Sequence, residues 1–304
     1  CVALSLVFGD GLDHAPALAS SRPYMPLTVI IAGADVIAAV QAGSATPPAA
    51  GAKPSERLRV VVLRTFKGTL AEPEVTLVLK PYQRDLVYRF EAGSEHVVFM
   101  APTAIRGEYR LTDETLLPHD EGQATRLSEA IPLVPSWSTP VGGLETVLVP
   151  DHEPAVSGTR DPFRYRVGEP ILIWAGYRNA SRRDILLRYR DWPLSSHTHW
   201  TLRVNRVGGG EVASLPHPHV DADEIRKFFS RNGHRFDYTL KPGEAFFLFL
   251  DRVNVAEAGW GYRERLDFRY YPMSYPGEYA ISAVARFLHA GPPVTSRPFR
   301  IRVE

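Results

Sequence analysis

The chain of 304 residues has a single cysteine, Cys1, and only five lysines among its 35 basic residues. One cysteine cannot close an internal disulfide, and it cannot build a site from several thiolates, so stability must come from packing. An excess of charge of one sign is also missing. Twelve bases face 16 acids up to residue 150, and 23 face 18 beyond it, for a formal net charge of +1. Neither half carries the dense basic stripe that phosphate neutralisation needs, which argues against a nucleic-acid partner. No window approaches the roughly 18 uninterrupted apolar residues of a membrane-spanning helix. The common catalytic signatures are absent as well: there is no Gly-x-Ser-x-Gly elbow, no His-Glu-x-x-His, no P-loop and no dinucleotide Gly-x-Gly-x-x-Gly after a strand.

What is present is ordinary globular composition, 44% hydrophobic and 23% charged, over a length that suits two domains. The thirty arginines read as the codon usage of a GC-rich bacterium. Residues 1–19 stand apart: an apolar run, Cys1 to Gly9, leads to Ala17-Leu18-Ala19 before Ser20. This reads as the tail of a secretory signal peptide, with a lipid anchor on Cys1 as the rival. The expected setting is therefore extracytoplasmic: periplasmic, cell-surface or secreted.

From residue 27 the pattern is one of short strands. Ala34–Ala42, Arg57–Phe66, Glu74–Leu79, Leu86–Phe90, Glu95–Met100 and Tyr109–Thr112 are β-rich runs at hairpin distances. Residues 121–131 form the one helical stretch of this half, with Asp120 as N-cap and Pro132 as stop. Five or so strands with one helix predict a small barrel over 20–131. Ala34-Asp35-Val36-Ile37, the apolar Val60–Leu63, the turn Phe66-Lys67-Gly68 and the hairpin FEAGSEHVVF (90–99) together resemble the netrin-like module. That family includes the tissue inhibitors of metalloproteinases, and it implies an OB-type five-stranded barrel. In those inhibitors an N-terminal cysteine, pinned by a disulfide, chelates the target's zinc. Here Cys1 stands more than thirty residues before Ala34 with no second cysteine to pin it, so no inhibitory residue is carried over.

Residues 132–144, rich in proline with Gly142-Gly143, read as a linker. The segment 145–304 again alternates strands and turns, with runs at 170–177, 184–190, 199–206, 245–250, 278–287 and 298–303. Lys241-Pro242-Gly243-Glu244 and Tyr275-Pro276-Gly277-Glu278 each launch an apolar strand, and Tyr279, Ile281, Ala283, Ala285 and Phe287 share one face. With Asn179-x-Ser181 these features resemble bacterial immunoglobulin-like domains of the BsuPI proteinase-inhibitor type, which implies a β-sandwich and transfers no inhibitory loop.

Candidate chemistry is sparse. His197, His199, His217 and His219 have spacings that could ligate zinc or copper, although exposed loop histidines are the simpler reading. Trp260, Tyr262, Tyr270 and Tyr271 crowd a stretch with several arginines and could present a partner-binding surface, although aromatic strands in sandwiches are mostly core. Arg178, Arg182 and Arg183 read as a solvated turn, residues 221–229 as a short helix, and Gly208-Gly209-Gly210 as a hairpin tip. No catalytic residue and no cofactor is assigned. The expectation is a mainly β, exported, non-catalytic protein that binds another protein, with protease inhibition as one form of that binding. The alternative is a metal- or carbohydrate-binding envelope protein.

Overall fold

The computed structural model describes residues 25–43, 57–70, 72–79, 83, 86, 89–112, 115–150, 163–169, 171–190, 200–216, 235–250, 269–286 and 292–304. The fold is mainly β, an OB-type barrel followed by an immunoglobulin-like sandwich: strand spacing predicts a barrel and further strands, and the two resemblances imply their types.

A short helix, α1 (Leu27–Gly33), precedes the barrel strands β1 (Val36–Ala42), β2 (Arg57–Lys67), β3 (Glu74–Val78), β4 (Glu95–Pro102) and β5 (Glu108–Leu111). β1 pairs antiparallel with both β2 and β4, β2 with β3, β3 parallel with β5, and β5 with β4, so the sheet closes in the order 1-2-3-5-4-1. β6 (Leu117–Pro118) extends β4, and α2 (Glu121–Ala130) follows, with Asp120 Oδ1 accepting the Gln123 N–H at 2.8 Å as its N-cap. Alternate residues fill the barrel, among them Val36, Ala38 and Val40 of β1 against Val60, Leu77, Val98 and Met100. The other face of β1 is covered too: Ile37 and Ala39 pack with Phe99, Ile31 and Leu127 under the two helices. A strand buried on both faces explains the near-continuous apolar run of β1.

Two sequence expectations fail in this half. Residues 27–33 open the stretch read as short strands, yet they form α1 although Thr28, Val29, Ile30 and Ile31 are β-branched. Burial outweighs the propensity cost: Leu27 to Ala32 are all buried, one side against the barrel and the other against the sandwich. Gln83, Leu86 and Arg89 are in 3-10 conformation, so the strand expected at 86–90 does not form there, although Leu86 and Phe90 do reach the core.

The sandwich comprises β7 (Leu144–Pro150), β8 (Arg164–Tyr165), β9 (Ile173–Asn179), β10 (Ile185–Arg190), β11 (Trp200–Arg206), β12 (Leu215–Pro216), β13 (Arg235–Leu240), β14 (Ala245–Leu250), β15 (Arg269–Tyr270), β16 (Gly277–Ala285), β17 (Val294–Thr295) and β18 (Phe299–Val303). One sheet runs β14-β9-β7 and the other β11-β16-β18-β8 with β17 on β16; β10 pairs β13 and β12 pairs β15. Leu144, Leu148, Ile173, Ala175 and Tyr177 face Tyr279, Ile281, Ala283 and Phe299 across the core. Asn179 joins the two turn motifs seen in the sequence. Its Oδ1 accepts from Ser181 N at 2.9 Å, its Nδ2 donates to Leu240 O at 2.8 Å, and its backbone carbonyl accepts from Gly243 N at 2.7 Å.

The three-stranded sheet has a second apolar face. Along β9, Trp174, Gly176 and Arg178 point away from the sandwich core, and Val147, Val149 and Trp174 pack with Val29 and Ala32 of α1. Gly176 sits between its cross-strand neighbours Phe247 and Val147. A Cβ there would lie 2.6 Å from Phe247 Cε1 and 2.8 Å from Val147 Cγ1, and Gly33 of α1 approaches the same ring, where a Cβ would lie 3.1 Å from Cε2. The Phe247 ring thus fills a slot with one glycine from each domain. The predicted linker is part of this joint: Ser138 N donates to Thr146 O at 2.8 Å and Thr146 N to Ser138 Oγ at 3.0 Å, so residues 134–140 run against the free edge of β7.

Two substitutions test this packing. Gly176→Ala forces the Phe247 ring toward α1, an overpacking expected to cost about 1–3 kcal/mol in urea unfolding; an unchanged midpoint would show that the slot is not tight. Thr146, on the core face of β7, buries a hydroxyl with no partner among the described residues. Thr146→Val should therefore raise stability by about 1 kcal/mol, and a clear loss would show that Oγ1 is satisfied.

Candidate functional site

The domains meet at a cleft of about 730 Å3, lined by Ala32, Asp35 and Lys67 of the barrel, by Glu145, Arg178 and Arg297 of the sandwich, and by Ile131–Pro140, with the exception of Leu133, between them. Each charged group reaches the cleft for a local reason. Period-two alternation turns Arg178 out of β9 and Glu145 out of β7, and the two are directly cross-strand. Arg178 Nε donates to Glu145 Oε2 and Nη1 to Asp35 Oδ1, each at 2.5 Å, so one guanidinium holds a carboxylate from each domain. Its plane also lies over the Trp137 ring, 4.7 Å from the centroid, and Trp137 Nε1 donates to Ala32 O at 3.0 Å. The three ionic side chains are only 11–31% exposed, so salt screens them less than a surface pair. Further bonds between the domains run from Arg110 Nη1 to Pro242 O and from Thr28 Oγ1 to Pro150 O, each at 3.1 Å.

Lys67 is placed by the turn that follows it. Gly68 has φ 76°, and any Cβ there would lie 2.5 Å from Asp35 O, so the chain can reverse here only with glycine. Lys67 Nζ then donates to Ile31 O at 2.7 Å and Ala34 O at 2.6 Å, carbonyls left open by the end of α1. Burial lowers its pKa from 10.5 to about 8; Asp35 raises it in part, and Arg178 lowers it further. The arrangement can hold an anion or a hydrogen-bonding ligand. Its two carboxylates are already committed to Arg178.

The sequence candidates fare unevenly. His197, His199, His217, His219, Trp260 and Tyr262 lie outside the described residues, as do residues 1–19 and the helix expected at 221–229. Among the described residues no group of three His, Cys, Asp or Glu side chains could hold a metal ion, and no helix is long and apolar enough to cross a membrane. Tyr270 falls in β15. Tyr271 is not a surface residue: it is 7% exposed in the sandwich core, with its hydroxyl donating to Leu202 O at 2.9 Å. Arg178 is likewise not in a solvated turn but on β9 and half-buried, whereas Arg182 and Arg183 are exposed as expected. Gly208 and Gly209 do form a turn, closed by Gly209 N to Arg206 O at 2.9 Å. Lys67, Trp137 and Glu145 carried no sequence signal of a shared site beyond the Lys-Gly turn.

No family model matches the chain, and no curated protein matches it. Among solved structures, a crystal structure of a β-glucosidase from Listeria innocua in complex with glucose is similar over 67% of this chain and 19% of that one, at 9% identity and a TM-score of 0.23. The chain spans about a fifth of that protein's length, and so slight a likeness bears on neither fold nor activity.

The Lys67 environment predicts a pH effect with a definite sign. The folded chain releases this proton before the unfolded chain does, so stability rises as pH climbs from about 8 toward 10.5 and is constant in this group below that window. The gain is bounded at about 3 kcal/mol. Tyr109, whose pKa burial and Glu72 raise above 10.0, acts the opposite way at the top of the range. The urea midpoint should therefore increase between about pH 7.5 and 9.5, and Lys67→Met should abolish the increase even though it leaves two carbonyls unpaired. Parallel curves for the two proteins would refute the assignment.

Proposed function

We propose that the protein is an exported, non-catalytic protein-binding protein, a netrin-like barrel joined to an immunoglobulin-like, BsuPI-like sandwich, which engages its partner at the interdomain cleft. The observation that carries this reading is that the groups suited to acid-base work in the cleft are already engaged. Asp35 and Glu145 share Arg178, and Lys67 holds the end of α1. A cleft between two packed β-domains offers a preformed surface, and binding to it costs little ordering. The closed 1-2-3-5-4-1 barrel supports the netrin-like reading, and the Asn179 and Gly243 turns that clasp each other support the BsuPI-like one. The apolar part of the cleft, with Trp137 at its centre, supplies the aromatic anchor common in protein recognition.

The test is affinity capture from envelope and culture fluid with the full chain as bait, beside a variant in which Ser136→Trp fills the cleft from an exposed wall position. A saturable protein partner held by the wild type and lost by the folded variant is the expected result. Equal retention by both would move the binding surface away from the cleft, and reproducible turnover abolished by Asp35→Asn would overturn the non-catalytic reading.

A further inference from the structure

The cleft holds more donors than the protein itself uses. Two N–H groups of Lys67 go to the carbonyls of α1, which leaves the third without a described partner. Arg178 commits Nε and Nη1, and no described acceptor takes Nη2. Arg297 lines the same cleft, exposed and without a described partner. Against these three cations stand two carboxylates, Asp35 and Glu145, and both are spent on one arginine. The cleft is short of one negative charge.

Its wall says how that charge would arrive. The segment 135–140 is in neither helix nor strand, and Pro135 and Pro140 stiffen it. Among the described residues the backbone N–H groups of Ser136, Trp137 and Thr139 have no hydrogen-bond partner. A non-helical, proline-stiffened wall with open backbone groups suits an extended chain laid beside it. The volume of about 730 Å3 falls within the roughly 300–1,000 Å3 of small-ligand pockets, enough for the last few residues of a chain and not for a folded domain.

We infer that the cleft captures the C-terminal carboxylate of an extended peptide, with the carboxylate among Lys67, Arg178 and Arg297 and the preceding residues along the wall beside Trp137. The inference rests on the protein-binding reading and names the part of the partner that enters. Carboxylate and guanidinium or ammonium form charge-assisted bonds, the strongest such a site can offer. A carboxylate arriving here also stabilises the protonated form of Lys67, so binding near pH 8 takes up protons.

The probe is acetyl-trialanine with a free carboxylate, titrated into the full chain and followed by the Trp137 indole N–H resonance, which Trp137→Phe assigns. The C-terminal amide of the same peptide and amidated acetyl-Ala-Asp-Ala are the controls. The free acid should bind about tenfold more tightly than either. Arg297→Ala, an exposed rim change that should not disturb folding, and Lys67→Gln should each weaken it by about five- to tenfold. Calorimetry at about pH 8 should show proton uptake as a buffer-dependent heat. Equal binding of acid and amide, no indole shift up to about 50 mM, or no effect of Arg297→Ala would overturn the inference. Binding of the aspartyl amide as tight as that of the acid would overturn the terminus assignment. Failure of the peptide with cleft-dependent capture of a partner intact would reject this inference alone; the reverse outcome would reject the broader reading alone.

Discussion

A β-sheet with an apolar stripe on each face must be covered twice, and the sheet of β7, β9 and β14 is covered by the sandwich on one side and by α1 on the other. The rest of the architecture follows from that double burial. α1 has no exposed face because it fills the space between a closed barrel and this sheet, and its β-branched residues are helical there because no sheet edge is offered to them. Gly33 and Gly176 mark where the surfaces approach most closely, with the Phe247 ring between them. The domains are thus joined by a packed layer as well as by a tether.

Polar groups at such a joint must be paired, and the pairing shapes the cleft. Arg178 leaves β9 on the barrel side, where its charge is tolerable only with counter-ions, and it takes one from each domain. Partly buried pairs of this kind add little net stability once desolvation is counted, and their value lies in orientation: they hold the barrel at one angle to the sandwich. Lys67 closes the end of α1 from the barrel side. The uncovered remainder of the joint is a cleft lined by Lys67, Arg178 and Arg297 and by Trp137.

Much of the fold was legible in the sequence because strand periodicity records which face is wet. The barrel strands other than the one expected at 86–90, the Asp120 cap, the alternation along β16 and the pairing of the Pro-Gly turns with strands are all local patterns, and each forms where the residues imply. The site was not legible. Arg178 beside Arg182 and Arg183 reads as a charged turn, and nothing local distinguishes the one that points at another domain. Residues 132–144 read as a linker because proline-rich stretches usually are, and Trp137 is the single residue there whose size signals burial.

By itself the sequence determined a mainly β chain of short strands and the turns that set strand register, since each depends on residues close together in the chain. Only the tertiary structure decided that 27–33 is helical, that the sheet has a second buried face, and that Asp35, Lys67, Glu145 and Arg178 share one cleft. The reason is that helix propensity and charge exposure are weak local terms, of a few tenths to about 1 kcal/mol, which burial against a distant part of the chain overrides.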